Sequence, residues 1–422
     1  MTFLIFGQSK TDMAKFAIFT EGSLRGGVDT FLRNLIGSWT KDDDLTLLLN
    51  HNYIGLAGFN DIDCSNSKVR LWKNFLMIFY RRNYPEKFGA RIIRLIYRIL
   101  YYPILTPIVF IQLFCHFKRS DYEYLLVVNG GHPGSLYCRV AAIAWAASKS
   151  SKTCVYSVHN VPKKPPQFAE YIESCFDALL SRSCKKLVTV SKSAANEFES
   201  TAGHFKSWKL SYIHNGIKDI AIETSLLAKS MKAPETFIDL PNPYILILAT
   251  FEPRKGHKFL LDAFREVLKS RPDATLLMMG DGTKEQISEI KDYVTRLGLD
   301  QHVQILPFSD DPYFYLEYAA VCVSASQESE PFGLTLIEAM ALSTPLVITD
   351  VGGMPEVVSD SGAARICNKD DKSKFARYIL VYLNSKTERQ LSGALGRKHF
   401  LKHFTADIMT KKYKQLYEVN FD

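Results

Sequence analysis

Short apolar segments alternate with segments of helical periodicity along most of the chain, and this alternation limits the fold more than any other feature of the sequence. Each apolar segment of the first half ends in a polar or glycine-containing turn. Alternation of this kind is typical of a parallel sheet with helices on both faces. The strands predicted in the first half are Lys15–Thr20, Leu45–Asn50, Tyr124–Asn129, Thr153–His159, Lys186–Ser191 and Leu210–His214.

The same alternation returns after a weakly patterned segment at residues 218–243, which we interpret as a linker. The sequence therefore predicts an α/β protein with two Rossmann-like, doubly wound domains that face each other across a cleft. We place the domains at residues 1–222 and 223–400. The strands predicted in the second half are Tyr244–Thr250, Ala274–Met279, Val303–Pro307, Val321–Ser326 and Leu346–Asp350.

Composition excludes several classes of protein. With 47% hydrophobic and 23% charged residues, the chain is neither disordered nor fibrous. Its eight cysteines form no CxxC pair, which indicates scattered buried thiols instead of a disulfide framework or a zinc site. The chain begins without the basic segment of a secretory signal, so we expect a cytoplasmic protein.

The chain has a net charge of +8, and the basic excess lies in its first half, where residues 1–220 hold 28 basic and 17 acidic side chains. Residues 69–119 alone carry ten Lys or Arg, one acid and twelve aromatic residues. Two interpretations stay open: buried core helices, or a basic aromatic surface on the anionic inner face of the plasma membrane. A membrane span is less favoured because Pro103 and Pro107 interrupt the uncharged part, and a nucleic-acid surface because the basic residues alternate with apolar ones.

Residues suited to ligand binding follow the predicted strands of the first half. Gly26 and Gly27 lie between the first strand and the predicted helix Asp29–Ile36, where a backbone can approach an anion closely. Their spacing is not GxGxxG, so a nicotinamide cofactor is poorly supported. His132 and His159 also follow strands. A ligand-free turn and ordinary core histidines remain open for these positions.

The second half has a more specific pattern. Arg254 and Lys255 follow its first strand and are suited to a diphosphate. Glu330 precedes a Pro-Phe-Gly turn, after which a helix is predicted to begin at Leu334. The first N–H groups of that helix have no partner within it, so they can bind an anion. Glu338, about one turn further on, can accept two vicinal hydroxyls. Two carboxylates on either side of an anion site match the requirements of a nucleotide-sugar.

Seven motifs in order together resemble glycosyltransferase family 4, of the bacterial polysaccharide and lipopolysaccharide type, with the two-domain GT-B fold. The most specific is E-x7-E, formed by Glu330 and Glu338 in EPFGLTLIEAMA. The other six are GGV at 26–28, VHN ending at 160, VTVSKSAANEF at 188–198, HNGI at 214–217, GDG at 280–282 and TDVGGMPEVV at 349–358.

The resemblance implies a retaining transfer from a nucleotide-sugar, preferably a UDP-sugar but also a GDP-sugar, to a lipid-linked or polysaccharide hydroxyl, with no metal or other cofactor. It implies that Glu330, His159 and Lys255 act at the reacting centre. It also implies that residues 401–422 form a helix crossing back to the first domain. The donor-binding residues it implies are Gly26, Gly27, Arg254, Lys255, Gly282, Leu306, Phe308, Glu330, Phe332, Gly333, Leu334, Thr335 and Glu338.

One position departs from the family pattern. Family members often carry an arginine five residues before the phosphate-binding lysine, and here that residue is Thr250. Arg254 can supply the charge instead, although its side chain adjoins Lys255 and could point away. Three other functions remain open: a nucleotide-sugar epimerase with the same fold, a non-catalytic nucleotide-sugar-binding protein, and a transferase acting on a soluble acceptor.

Overall fold

The computed structural model describes residues 13–22, 26–39, 43–50, 53, 67–72, 106–165, 170–201, 205, 209–222, 243–309 and 312–418. Within these ranges the chain forms two parallel β-sheets, of seven and six strands. The prediction of an α/β fold with two doubly wound sheets is confirmed.

The first sheet has the strand order β3-β2-β1-β4-β5-β6-β7. The order reverses direction between β1 and β4, and such a switch point opens a crevice at the carboxyl ends of the strands. Its strands are β1 (Lys15–Thr20), β2 (Asp44–Asn50), β3 (Ser67–Trp72), β4 (Tyr124–Asn129), β5 (Cys154–Val158), β6 (Lys186–Thr189) and β7 (Leu210–Tyr212). The helices around it are α1 (Gly27–Gly37), α2 (Thr106–Arg119), α3 (Leu136–Ser148), α4 (Glu170–Ser183) and α5 (Lys192–Thr201).

The second sheet has the order β10-β9-β8-β11-β12-β13, with its switch point between β8 and β11. Its strands are β8 (Tyr244–Leu248), β9 (Thr275–Gly280), β10 (Val303–Pro307), β11 (Val321–Ser324), β12 (Leu346–Thr349) and β13 (Ala364–Cys367). The helices of this half are α6 (His257–Ser270), α7 (Lys284–Arg296), α8 (Tyr313–Tyr318), α9 (Leu334–Ala341), α10 (Met354–Val358), α11 (Lys372–Asn384), α12 (Lys386–His403) and α13 (Ala406–Glu418).

Both faces of each sheet are buried, which explains why the strands are continuously apolar. In β8, Tyr244 and Leu246 pack into one hydrophobic cluster and Ile245 and Ile247 into another on the opposite face. β1 divides its side chains between two clusters in the same way. Period-two alternation with helices on both sides therefore fixes the register of the strands.

Helix α13 packs on the first sheet, although it follows the second sheet in the chain. Tyr413 and Tyr417 are buried in the cluster that contains Phe16 of β1. The Tyr417 hydroxyl donates a hydrogen bond to the Leu125 carbonyl at 3.0 Å, and the Thr410 hydroxyl donates to the Leu35 carbonyl at 3.4 Å. The last helix is thus part of the core of the first domain.

Several elements differ from the sequence-based expectations. Strands β3 and β13 were not predicted, and the helix expected at 401–422 begins instead at Ala406, after the separate helix α12. Of the basic aromatic stretch 69–119, residues 73–105 lie outside the described residues. Helix α2 buries Val109, Leu113 and Phe117, as the core interpretation predicts, while Ile111 is exposed. Across the described ranges, no helix has both the length and the apolarity needed to cross a membrane.

Candidate active site

Two loops that are distant in sequence meet at the switch point of the second sheet. β8 and β11 are neighbours, so the loops that follow them lie at the same edge. The Gln327 N–H donates to the Arg254 carbonyl at 2.8 Å. Gly256 has a φ of +75°, and a Cβ atom there would lie 1.8 Å from the Ala325 carbonyl oxygen. This close approach requires glycine, and it fixes the cations of the first loop beside the second.

Arg254 and Lys255 converge on the carboxylate of Glu330. Both lie in the single 3₁₀ turn Pro253–Lys255. The Lys255 ammonium forms an ion pair with Glu330 Oε2, and Arg254 Nη1 lies 3.4 Å from the same oxygen. The Arg254 Nε also donates to Glu252 at 2.6 Å. Arg254 therefore points toward the site and not away from it. The result is a cluster of two cations and two carboxylates, in which Glu330 contacts both cations and Glu252 contacts Arg254.

Helix α9 begins beside this cluster. Its preceding residue, Gly333, has a φ of +89°, a left-handed conformation that favours glycine. The hydrogen bonding of the helix begins at Leu336, whose N–H donates to the Gly333 carbonyl at 3.0 Å. The N–H groups of Leu334 and Thr335 precede the first N–H that can bond within the helix, so they are available to an anion. The Thr335 hydroxyl donates to the Leu248 carbonyl at 3.2 Å, which ties this helix start to the end of β8.

The backbone of Glu330 is held by the glycines of the TDVGG loop. The Gly353 N–H donates to the Glu330 carbonyl at 2.8 Å. Gly352 has a φ of +60°, and a Cβ atom there would lie 2.2 Å from the same carbonyl oxygen. This loop matched a family motif in the sequence without an assigned role. Its structural role is to position Glu330.

Glu338 lies one turn into α9 and is half-buried. Burial raises the pKa of its carboxyl to about 7. Its protonation therefore changes close to physiological pH, unlike that of an exposed glutamate.

The glycine loop of the first domain meets the start of α9 across the cleft. A Cβ atom on Gly27 would lie 3.3 Å from Leu334 Cδ1, whereas a Cβ atom on Gly26 would have no other atom within 4 Å. The Gly26 N–H is bound by Asp29 Oδ2 at 2.8 Å, which caps the start of α1. Two helix N-termini, those of α1 and α9, thus lie near each other, and their dipoles favour an anion between them.

His159 lies immediately after β5 and is half-buried. Its Nε2 atom is 3.0 Å from the Ser157 hydroxyl, and its ring packs on Phe31 of α1 with a centroid distance of 4.1 Å. Burial lowers the pKa of His159 to about 3, so the imidazole is neutral at physiological pH. It can therefore act as a hydrogen-bond donor or acceptor, but not as a cation.

Hydrogen bonds from the motif at 188–198 join the two domains. The Ser191 hydroxyl donates to the Pro331 carbonyl at 2.6 Å, directly beside Glu330. Glu356 of α10 accepts N–H bonds from Lys192 and Ser193 at 2.9 and 3.1 Å. The motifs at 188–198 and 349–358 are thus two sides of one junction, which sequence reasoning did not identify.

The remaining predicted residues fall in three different settings. Phe332 is only 2% exposed and packs on His214 and Phe404, so its ring supports the turn, and only its backbone is near the anion site. Phe308 is 53% exposed just beyond β10. Leu306, in β10, is half-buried, and Gly282 packs closely against Phe251.

Two further residues of the first domain lie near its switch point. His132 is buried against Asp177, with Nε2 3.2 Å from the carboxylate, and is thus a core histidine. Glu21, which the sequence analysis missed, follows β1 directly and accepts a hydrogen bond from the Ser135 hydroxyl. Burial raises the pKa of Glu21 to about 7. A single acid after a strand gives no sequence signal, because its hydrogen-bond partner Ser135 is 114 residues away in the chain.

Comparison with known proteins finds similarity in the second domain. Residues 230–399 match the family described as "Glycosyl transferases group 1". A D-inositol 3-phosphate glycosyltransferase from Segniliparus rotundus is 28% identical over 192 residues, which are 44% of this chain and 43% of that protein. The chain thus spans less than half the length of this curated relative.

Solved structures are similar over nearly the whole chain. A glycosyltransferase from Rickettsia africae has a TM-score of 0.74 at 15% identity and covers 96% of this chain and 98% of its own. Anabaena HepE, crystallised with UDP, has a TM-score of 0.69 at 16% identity, with 96% and 99% covered. Residues 230–399 are therefore similar to the group 1 glycosyl transferases, and the chain has the two-domain α/β fold of the GT-B type.

Proposed function

We propose that the chain is a retaining glycosyltransferase that moves a sugar from a nucleotide-sugar to a hydroxyl of a lipid-linked or polysaccharide acceptor. One observation carries this proposal: Arg254 and Lys255 converge on Glu330 beside the start of α9. Two cations and a helix N-terminus provide positive potential for a diphosphate, and the carboxylate provides an acceptor for sugar hydroxyls.

The donor would lie along the carboxyl edge of the second sheet. In this proposal Glu338 accepts hydrogen bonds from the ribose, and the N–H groups of Gly333, Leu334 and Thr335 bind the diphosphate with Gly27 opposite. The base lies near Leu306 and Phe308, since Phe308 is an exposed ring at that edge. UDP is our first choice of nucleotide because Anabaena HepE was crystallised with it. GDP is the second.

The chemistry follows from where charge develops. The bond between the anomeric carbon and the diphosphate oxygen breaks, and a bond to the acceptor oxygen forms on the same face of the sugar. The acceptor proton passes to the departing diphosphate. Lys255 and Arg254 stabilise the negative charge that grows on this leaving group. Glu330 and His159 hold the transferred sugar. Since two side-chain cations supply the charge, we expect activity to persist in the presence of EDTA.

The acceptor and the cellular location rest on the sequence. The basic aromatic stretch 69–119 favours an acceptor at an anionic membrane surface, reached by a cytoplasmic enzyme bound peripherally. Helix α2 carries the exposed Ile108 and Ile111 in its first half and the basic residues Lys118 and Arg119 at its end. An apolar surface with nearby cations is suited to such an interface.

Calorimetric titration of UDP, GDP, ADP and CMP tests the donor site. We expect one nucleotide to bind the wild type and to bind Glu338→Ala about 10-fold or more weakly, because charged hydrogen bonds to the ribose are lost. Glu317→Ala, a variant of an exposed glutamate on α8, serves as the control. Binding of no nucleotide, or equal binding by Glu338→Ala, would contradict the proposal. Epimer formation without an acceptor would support the epimerase alternative instead.

A further inference from the structure

Three side chains form a hydrogen-bonded chain that connects the last helix to His159. The Tyr413 hydroxyl, on α13, lies 2.8 Å from the Ser157 hydroxyl, and Ser157 lies 3.0 Å from His159 Nε2. Tyr413 and Ser157 are both completely buried. Residues 256 positions apart in sequence therefore determine the surroundings of one imidazole.

The direction of these bonds follows from the number of protons available. Tyr413 and Ser157 each donate one hydrogen bond. Among the described residues, Ser157 is the partner that the structure gives the Tyr413 hydroxyl. If Ser157 donated to Tyr413, the buried phenolic proton would lose that acceptor, which is costly. Tyr413 therefore donates to Ser157, and Ser157 donates to His159.

A neutral imidazole carries one proton, and the bond from Ser157 determines which nitrogen holds it. Since Nε2 accepts a hydrogen bond, the proton is on Nδ1. Within the described part of the chain, Nδ1 of His159 is not among the enclosed polar atoms that lack a partner. With the proton on Nδ1, the hydrogen-bond donor that this ring offers to a ligand is Nδ1–H.

We propose that Ser157 and Tyr413 are positioning residues that hold His159 as its Nδ1–H tautomer, so that this histidine donates a hydrogen bond to the transferred sugar. The tautomer rests on the contacts alone, whereas the contact with sugar rests on the function proposed above. Phe31 fixes the plane of the ring by packing against it. The last helix thus contributes to the reacting centre through two buried hydroxyls.

The tautomer is measurable by ¹⁵N NMR of the full chain labelled at histidine, with His159→Gln used to assign the resonance. We expect the wild type to show an Nδ1–H ring. Ser157→Ala removes the donor to Nε2, so the ring should shift largely to the Nε2–H form, which imidazole prefers in water. Ser157→Thr retains the hydroxyl and should retain the wild-type tautomer.

Tyr413→Phe should move the Nε2 resonance and mix the two tautomers, because Ser157 loses the bond that orients it. Tyr417→Phe is the matched control, since Tyr417 lies on the same helix and donates to Leu125 instead. An Nε2–H ring in the wild type, or unchanged resonances in both Ser157→Ala and Tyr413→Phe, would overturn the proposal. Melting curves show whether each variant is folded.

Activity separates this proposal from the function on which it rests. If UDP-glucose is turned over, Ser157→Ala and Tyr413→Phe should lower kcat several-fold with little change in KM, and Tyr417→Phe should not. A tautomer that responds as expected in a protein without transferase activity would refute the proposed function and leave the positioning role intact. Unchanged kcat in Ser157→Ala, despite a changed tautomer, would show that His159 has no role in the reaction.

Discussion

His214 and Glu356 form a hydrogen bond that joins the two domains, with Nε2 2.6 Å from Oε1. His214 follows β7 of the first sheet, and Glu356 lies on α10, which follows β12 of the second. The same carboxylate accepts the N–H groups of Lys192 and Ser193 at the start of α5. One side chain thus connects three segments beside the candidate active site.

Replacing Glu356 by Gln should loosen this junction. Burial alone would raise the pKa of Glu356, but the bonds from His214 and from the N–H groups of Lys192 and Ser193 outweigh it and lower the pKa. A carboxyl with a lowered pKa stabilises the fold above its unfolded-state pKa, and this stabilisation is lost as pH falls through the folded-state pKa. We expect the free energy of unfolding to fall by about 1–3 kcal/mol at pH 7.

Chemical denaturation at pH 7 and in acid measures this effect. The difference between the wild type and Glu356→Gln should shrink as the pH falls below about 4, near the ordinary pKa of glutamate. Glu289→Gln is the control, because Glu289 forms an exposed pair with Lys258. Equal stability of Glu356→Gln and Glu289→Gln at pH 7 would show that the junction contributes nothing.

Nucleotide affinity should depend on pH through Glu338. Burial raises the pKa of this carboxyl to about 7, so in the free protein it is largely protonated below pH 7 and charged above it. The charged form accepts ribose hydroxyls better, so affinity for UDP should rise several-fold between pH 6 and pH 8. Glu338→Gln has no such titration, and comparing the two proteins cancels the titration of the phosphate. Parallel pH profiles of the wild type and Glu338→Gln would show that Glu338 does not bind the ribose.

The parts of the site that are local in sequence could be predicted. Glu330, Gly333 and the start of α9 lie within one loop, so the anion site was evident from residue types and spacing. The contact between Lys255 and Glu330 could be expected only from the family pattern, since 75 residues separate them. The direction of Arg254 depends on the 3₁₀ turn, which has no sequence signal. The hydrogen bond from Tyr413 to Ser157 could not be predicted, because the sequence pattern does not distinguish Tyr413 from any other apolar residue on the buried face of a helix.

Gly352 and Gly298 offer a matched pair of glycine substitutions. Their φ angles are +60° and +68°, so alanine is strained at both, by about 1 kcal/mol. A Cβ atom on Gly298 meets nothing within 4 Å, whereas one on Gly352 would collide with the backbone of Glu330. We expect Gly352→Ala to displace Glu330 and to abolish transfer, and Gly298→Ala to retain it. Melting temperatures and transfer rates of the two variants test this. Similar rates would show that the TDVGG loop does not position Glu330.

Arg254 should supply the positive charge of the arginine that family members often carry at the position of Thr250. Its side chain is 29% exposed and lies 3.4 Å from Glu330, while Lys255 is 17% exposed and pairs with the same carboxylate. Because the less exposed cation is screened less by water, Lys255→Ala should weaken UDP binding by about 2–3 kcal/mol and Arg254→Ala by about 1–2 kcal/mol. Lys258→Ala, which removes the α6 cation of an exposed pair with Glu289 on α7, should leave binding unchanged.

The salt dependence of UDP binding distinguishes charge from packing in the Arg254 variants. If Arg254 acts by charge, Arg254→Lys should retain most of the affinity, and the wild type should lose affinity with added salt more steeply than Arg254→Ala. Placing arginine at the family position in Thr250→Arg/Arg254→Ala should restore binding, since Thr250 is exposed at the same strand end. Wild-type affinity in Arg254→Ala would show that Lys255 and the start of α9 suffice for the diphosphate.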